Sequence, residues 1–341
     1  MHKVLLGLDI GTNSIKAVQI AREKSGKHLL AAGYIATSAK ALASLTTGDE
    51  QELASTINRL VHDMKISTED VSASLPSSKV ITRVIEVPMM KDEELTSSIQ
   101  WEAEQYIPLP LSSVKLDYAV IGNNTENTKM KILLVAAPIT IIEKYMRVIT
   151  LAGLNPVALE TEILASSRCI VESYQTLENV LILSFGATSS EIALTYNRTL
   201  IYARSLPIGG NTLTKAITEE LGFEIAQAEE YKKTYGLEED KLEGKVYKTL
   251  EPFFKSVLTE IEKTLAYFKE QYPKDEIKSV IACGGGAKLP GLVLAITKNF
   301  GIDSQLCNPF LNLSVDPNIL PILTPDMSMY TVAVGLGLKE D

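Results

Sequence analysis

Histidine and cysteine are scarce in this chain of 341 residues, with three of each. Cys169, Cys283 and Cys307 form no Cys-x-x-Cys pair, and His2, His28 and His62 stand apart, so neither a zinc centre nor a His-based nucleophile system is supported. The cysteines lie in or beside apolar segments, as reduced, buried thiols do. Basic charge is short as well. Lys and Arg number 33 against 42 Asp and Glu, a net charge of −9, which leaves no global basic field to gather nucleic acid or anionic lipid. Long apolar runs are missing: the N-terminal one, broken by Asp9, reads as too short for a signal peptide, and none reaches spanning length. The expectation is a cytoplasmic protein without direct membrane insertion. Gly-x-x-x-x-Gly-Lys-Ser/Thr, His-Glu-x-x-His, Gly-x-Ser-x-Gly and Gly-x-Gly-x-x-Gly are all absent, so the usual P-loop, zinc-protease, hydrolase and dinucleotide readings fall away.

What is present is a chain 45% hydrophobic and 22% charged, enough for two lobes around a sizeable core. Near its start, LGLDIGTNSIKAVQI sets Asp9 just before a small-residue turn, Gly11 to Ser14, between two β-branched apolar runs. That pattern predicts a hairpin. A turn of this kind turns backbone N–H groups inward as an anion-binding concavity, and Gly11 lets a phosphate approach without a Cβ in the way. Asp9 is placed to hold a hydrated Mg²⁺, and Lys16 to add a point charge. An ordinary hairpin explains the stretch equally well when it is taken alone.

Further along, strands are predicted at 29–36, 80–87, 115–121 and 130–137. Helices are predicted where Leu53, Ile57, Leu60, Val61 and Met64 recur, at 91–106, and at 140–151 closed by Gly153. Residues from about 80 to 153 thus read as a compact strand, helix, strand, strand, helix unit, with a polar loop from Asn123 to Lys129. VLILSFGATSSEI then repeats the strand, small-residue turn, strand pattern through Gly186, Ala187 and Thr188, so each half opens on a hairpin of the same type. A strand at 199–205 leads into Pro207, Gly209 and Gly210. Helical stretches follow at 212–235, broken near Gly222, and at 250–272, whose apolar stripe reads as core. SVIACGGGAKLPGL runs a buried strand into Gly284, Gly285, Gly286 and Ala287, bare backbone on which a planar ring or ribose can lie. YTVAVGLGL, with Ala333, Gly335 and Gly337, suits a closely packed terminal helix.

With these pieces in this order the chain resembles the actin, hexokinase and heat-shock chaperone superfamily of ATP-binding proteins. Asp9, Gly11, Thr12, Asn13 and Lys16 match its first phosphate motif, Gly186 and Thr188 its second, and Gly284 to Ala287 with Pro290 its adenosine motif. Within that superfamily, WEAEQYIPLPLSSVKLDY, SLPIGGNTLTKAI and AEEYKKTYG resemble the PilM family of type IV pilus assembly proteins, relatives of FtsA. The resemblance implies an α/β fold, actin-like and ribonuclease H-like, with two ATP-binding lobes and a small inserted α+β subdomain. The first lobe would span 1–166, completed by 328–341 and carrying the insert at about 80–153; the second would span 167–327.

The resemblance further implies a cytoplasmic adaptor that binds ATP and Mg²⁺, takes the N-terminal cytoplasmic tail of the inner-membrane protein PilN, and links it to the pilus motor and platform. It would sit at the inner face of the membrane through protein partners. Asp9 would hold the metal through water; Gly11, Thr12, Asn13 and Lys16 would face Gly186, Ala187 and Thr188 across the phosphates, with Gly209 and Gly210 beside them. Glu229 and Lys232 would border the ribose and adenine, although a solvated helix face accounts for them equally. Glu162 matches the position that orients the attacking water in hydrolysing relatives. One position departs: where the second motif normally has Asp, two residues before Gly186, this chain has Ser184. A hydroxyl dipole in place of a charge is expected to weaken Mg²⁺ binding and hydrolysis. An FtsA-like scaffold or polymer and a small-molecule kinase of the same superfamily are the competing readings.

Overall fold

The computed structural model describes residues 3–37, 46–123 and 128–340. Residues 124–127 of the polar loop, Met1, His2 and the terminal Asp341 lie outside the described residues. The first strands are apolar on both faces because both faces are covered. In β1 (Lys3–Ile10) every residue from Leu5 onward is buried. It pairs antiparallel with β2 (Ser14–Glu23), which pairs antiparallel with β3 (Gly26–Ala36). Helix Thr47–Asp63 follows, capped by the Thr46 hydroxyl, which accepts from the Asp49 amide at 3.3 Å. The sheet is completed by two parallel strands, β4 (Asp70–Leu75) and β8 (Asn155–Thr161), in the order β3-β2-β1-β4-β8.

Between β4 and β8 lies an antiparallel sheet of β5 (Ile81–Pro88), β7 (Lys129–Pro138) and β6 (Val114–Asn123). It closes over helix Asp92–Glu104 in a core of its own, with Ile85, Val87, Leu95, Ile99, Ile132 and Leu134. The expected unit is shorter than the sequence suggests. Helix Ile139–Leu151 buries Tyr145, Val148 and Ile149 against Leu53, Ile57 and Leu60, so it belongs to the core of the first lobe and not to the insert. The insert also touches the second lobe: Leu133 joins Ile182, Ala193 and Leu200, and Lys131 Nζ donates to Tyr272 Oη at 3.1 Å.

The second lobe repeats the plan of the first. β9 (Val180–Phe185), β10 (Ser190–Tyr196) and β11 (Thr199–Leu206) form an antiparallel meander, and β12 (Ser279–Cys283) and β13 (Asp303–Leu306) add in parallel, in the order β11-β10-β9-β12-β13. Helices Gly210–Leu221, Ile225–Tyr235 and Lys245–Gln271 cover one face, with Leu213, Ile217, Leu250, Val257 and Ile261 in the core. The predicted break at Gly222 is a left-handed C-cap, φ 69°. All three cysteines are free and buried, as expected.

Two helices connect the lobes, Glu162–Ser173 and Thr331–Gly337. They cross so closely that a Cβ on Gly335 would lie 1.8 Å from the Ala165 carbonyl oxygen, which only glycine permits. Arg168 Nη1 donates to that same Gly335 carbonyl at 2.8 Å and pairs with Glu160.

Candidate functional site

The two hairpin turns face each other across a cleft of about 1320 Å³, larger than the roughly 300–1,000 Å³ of ordinary small-molecule sites. On the first-lobe side, the register of β1 and β2 sets Lys16 directly opposite Asp9, and Nζ lies 3.1 Å from Oδ2. The Ser74 hydroxyl donates to the other carboxylate oxygen at 3.1 Å and accepts from the Ile10 amide at 3.3 Å. Asp9 is therefore buried, ionically paired and held at both oxygens. Gly11, Thr12 and Asn13 line the same wall.

Gly186, Ala187 and Thr188 line the opposite wall. Their loop is locked to the helix behind it, since the Gly210 and Asn211 amides donate to the Gly186 and Ala187 carbonyls at 2.9 and 2.8 Å. Gly210 reaches the cleft, but Gly209 supports the loop from behind: a Cβ there would lie 2.6 Å from the backbone of Ala187 and Thr188. The two walls also touch. Asn13 Nδ2 donates to Asn211 Oδ1 at 2.9 Å, and Asn211 Nδ2 returns a longer bond to Asn13 Oδ1 at 3.4 Å.

Beside the second turn, Gly284, Gly285 and Gly286 line the cleft, Gly284 and Gly286 packed against Phe185, while Ala287 is buried behind them. A Cβ on Gly285 would meet nothing within 4 Å, so this backbone lies open to a ligand. The solvated-face reading of Lys232 is overturned. It is buried, and its Nζ donates to the Gly210 carbonyl, the Thr214 hydroxyl and Glu229 Oε2 at 3.0, 2.8 and 2.5 Å. All three ammonium protons are thereby used. Burial pulls the Lys232 pKa below the usual lysine value. Burial pushes Glu229 up, but the bonds from Lys232 and Thr214 outweigh it and hold the carboxyl at about 2. Glu229 remains partly open to the cleft.

Glu162 is not exposed on its helix. It occupies the first turn after the Thr161 cap, accepts from the Ser77 amide at 3.2 Å, and lines the floor of the cleft near Asp9. Burial, then the Asp9 charge, pushes its pKa to about 7. A second carboxylate stands with it that no motif singled out. Glu191, on β10, is buried at the same floor, and burial followed by the Glu162 charge raises it to about 8. Its signal was available in the hairpin register, which puts Glu191 directly opposite Ser184. Ser74 and Asn211 were missed as well, since a lone serine or asparagine carries no motif.

The arrangement fits a nucleoside polyphosphate: two opposed small-residue turns for phosphates, open glycine backbone beside the second turn, and a fixed carboxylate with a lysine on the first-lobe wall. Among the described residues no three acidic, His or Cys side chains are close enough to hold a metal directly.

A model of the family described as type IV pilus assembly protein PilM matches residues 7–341. The chain belongs to that family. A solved PilM–PilN type IV pilus biogenesis complex matches with a TM-score of 0.85 and 27% identity, covering 98% of this chain and 97% of the other. The cell division protein FtsA of Streptococcus pneumoniae is 23% identical over 355 residues, 89% of this chain and 75% of FtsA. The ethanolamine utilization protein EutJ of Carboxydothermus hydrogenoformans shares the fold, with a TM-score of 0.58 and 14% identity over 98% of this chain and 89% of EutJ. The architecture is thus actin-like, and the three-stranded insert of this PilM-family chain sits within its first lobe.

Proposed function

We propose that the chain is an ATP-binding adaptor of the type IV pilus machine that takes the cytoplasmic N-terminal tail of PilN and links it to the pilus motor and platform from the inner face of the membrane. The observation that carries the reading is likeness along essentially the whole chain to the PilM of a PilM–PilN complex. No described helix is long and apolar enough to cross a membrane, so membrane attachment through a partner is consistent with the fold. A short extended tail suits this mode, with backbone pairing supplying affinity and side-chain pockets specificity.

In this reading Gly11, Thr12, Asn13 and Lys16 hold the phosphates from one lobe, and Gly186, Ala187 and Thr188 from the other. Asp9 faces the water shell of Mg²⁺, which neutralises phosphate charge when bound. Glu229 accepts from the ribose, Lys232 fixes Glu229 in place, and Gly284 to Gly286 lie along the base. Glu162 stands where an attacking water would be oriented. ATP acts as a switching ligand whose binding draws the lobes together.

Titrating the N-terminal PilN peptide into purified protein, with and without Mg²⁺ and ATP, tests the adaptor reading. Saturable binding supports it, and no binding with ATP present refutes it. Filaments seen by electron microscopy with ATP would instead favour an FtsA-like polymer, and phosphotransfer to a small molecule would favour a kinase.

A further inference from the structure

Glu191 is an anomaly in a cleft shaped for anions. It is 7% exposed, it lines the floor of the cleft, and among the described residues no Lys, Arg or His forms an ion pair with it. The charged neighbour that acts on it is another carboxylate, Glu162 of the opposite lobe, with the Ser77 side chain beside both. A buried, unpaired carboxylate is costly, and a polyphosphate brought against it makes matters worse unless a cation lies between them.

The hairpin register explains how it comes to be there. Asp9 and Lys16 are cross-strand partners two residues before and five after Gly11; Ser184 and Glu191 are partners at the same offsets from Gly186. Directly opposed residues on antiparallel strands share a face. The second hairpin therefore presents to the cleft a hydroxyl where the first has its acid, and an acid where the first has its lysine.

We propose that Glu191 is the second-lobe carboxylate of a divalent-cation site in the cleft, replacing the acid missing at Ser184. This rests on the nucleotide reading above. The longer Glu side chain, reaching in from the neighbouring strand, supplies the charge that Ser184 does not. Mg²⁺ binding is then retained despite the departure from the motif. Among the described residues no three such groups converge on one point, so Glu191 would add charge to the site without completing a direct ligand set.

The test is an equilibrium titration of a fluorescent ATP analogue against wild type, Glu191→Gln, Ser184→Asp and the double variant, in Mg²⁺ and again in EDTA. Wild type should bind more tightly in Mg²⁺. Glu191→Gln should lose roughly 10–100-fold of that Mg²⁺-dependent tightening, the range for outer-sphere partners of a metal, while its affinity in EDTA holds or improves. The double variant should recover the Mg²⁺ dependence. Ser184→Asp alone should change little, because the charge is already present. The assignment is overturned if Glu191→Gln keeps the wild-type ratio, if it weakens binding equally in both buffers, or if Ser184→Asp alone tightens Mg²⁺-dependent binding tenfold or more, about 1.4 kcal/mol. Absence of binding by wild type in both buffers would instead remove the nucleotide reading itself.

Discussion

In the first hairpin the strand entering the turn carries Asp9 and the returning strand answers with Lys16; in the second the entering strand carries Ser184 and the returning strand Glu191. The backbone plan is the same to a fine level. A Cβ on Gly11 would lie 2.9 Å from the Ser14 carbonyl oxygen, and one on Gly186 would lie 2.9 Å from that of Ser189. What differs is the electrostatic state. The first hairpin is internally neutralised, with Asp9 bonded by Lys16 and Ser74. The second leaves a buried carboxylate facing Glu162 of the other lobe. The two hairpins therefore share their turn geometry while the charges on the flanking strands differ. One lobe is balanced as it stands, and in the proposed site the other would be balanced by a cation.

The largest effect is expected from unbalancing the balanced hairpin. Asp9→Asn leaves a largely buried Lys16 without its counter-charge, and breaking such a pair costs about 3 kcal/mol. Urea denaturation should show that loss, and Mg²⁺-dependent nucleotide binding should vanish with it. An Asp9→Asn protein as stable as wild type would show that the Asp9 ion pair does not hold the first wall.

Geometry, unlike charge, should respond alike on both sides. Gly11→Ala and Gly186→Ala each force a Cβ to 2.9 Å from a carbonyl oxygen, an overpacking that costs about 1–3 kcal/mol, and at Gly11 the same Cβ would lie 3.0 Å from the movable end of Lys16. Similar stability losses would show that the carbonyl contact sets the cost in both turns; a clearly larger loss at Gly11 would show that Lys16 cannot give way.

The third contrast is in pH. Glu162 and Glu191 are raised from the usual carboxylate value of 4.5 to about 7 and about 8, so the folded protein binds their protons more tightly than the unfolded chain. Stability from this source is complete below about 4.5 and declines as pH rises toward 8. Glu162→Gln/Glu191→Gln should therefore melt higher than wild type at pH 8 in EDTA, by on the order of 2 °C, with the gain fading by pH 5. A gain that does not change with pH would mean that the two carboxylates do not carry this strain.

How much of this was written in the residues differs from place to place. Both turns, the glycine run at Gly284 and the apolar stripe of helix Lys245–Gln271 are local signals, and they were legible. Strands β4 and β8 were not: DVSASL buries Ser72 and Ser74 where an apolar alternation would be sought, and Ser74 is there to hold Asp9. The insert boundary failed for a related reason. Helix Ile139–Leu151 has an apolar face, but nothing local says which of two neighbouring cores receives it. At the cleft, Glu229, Lys232 and Glu162, which the resemblance pointed to, are lining residues. Glu191 needed strand register, which is a property of the pair and of neither strand alone.

The smallest effect concerns the side-chain contact that, among the described residues, ties the two walls together. Asn13 and Asn211 exchange bonds of 2.9 and 3.4 Å, and both are exposed, so the pair is worth about 1 kcal/mol at most. Asn211→Ala should leave the melting temperature nearly unchanged. Its expected signature is kinetic, because a nucleotide entering between the turns must part this amide pair and the variant has nothing to part. Stopped-flow mixing with the fluorescent ATP analogue should show faster association, within about fivefold for a barrier lowered by a single weak hydrogen bond. Dissociation should quicken less, since a bound phosphate chain already separates the two amides. Unchanged association would mean that the lobes open without breaking this contact.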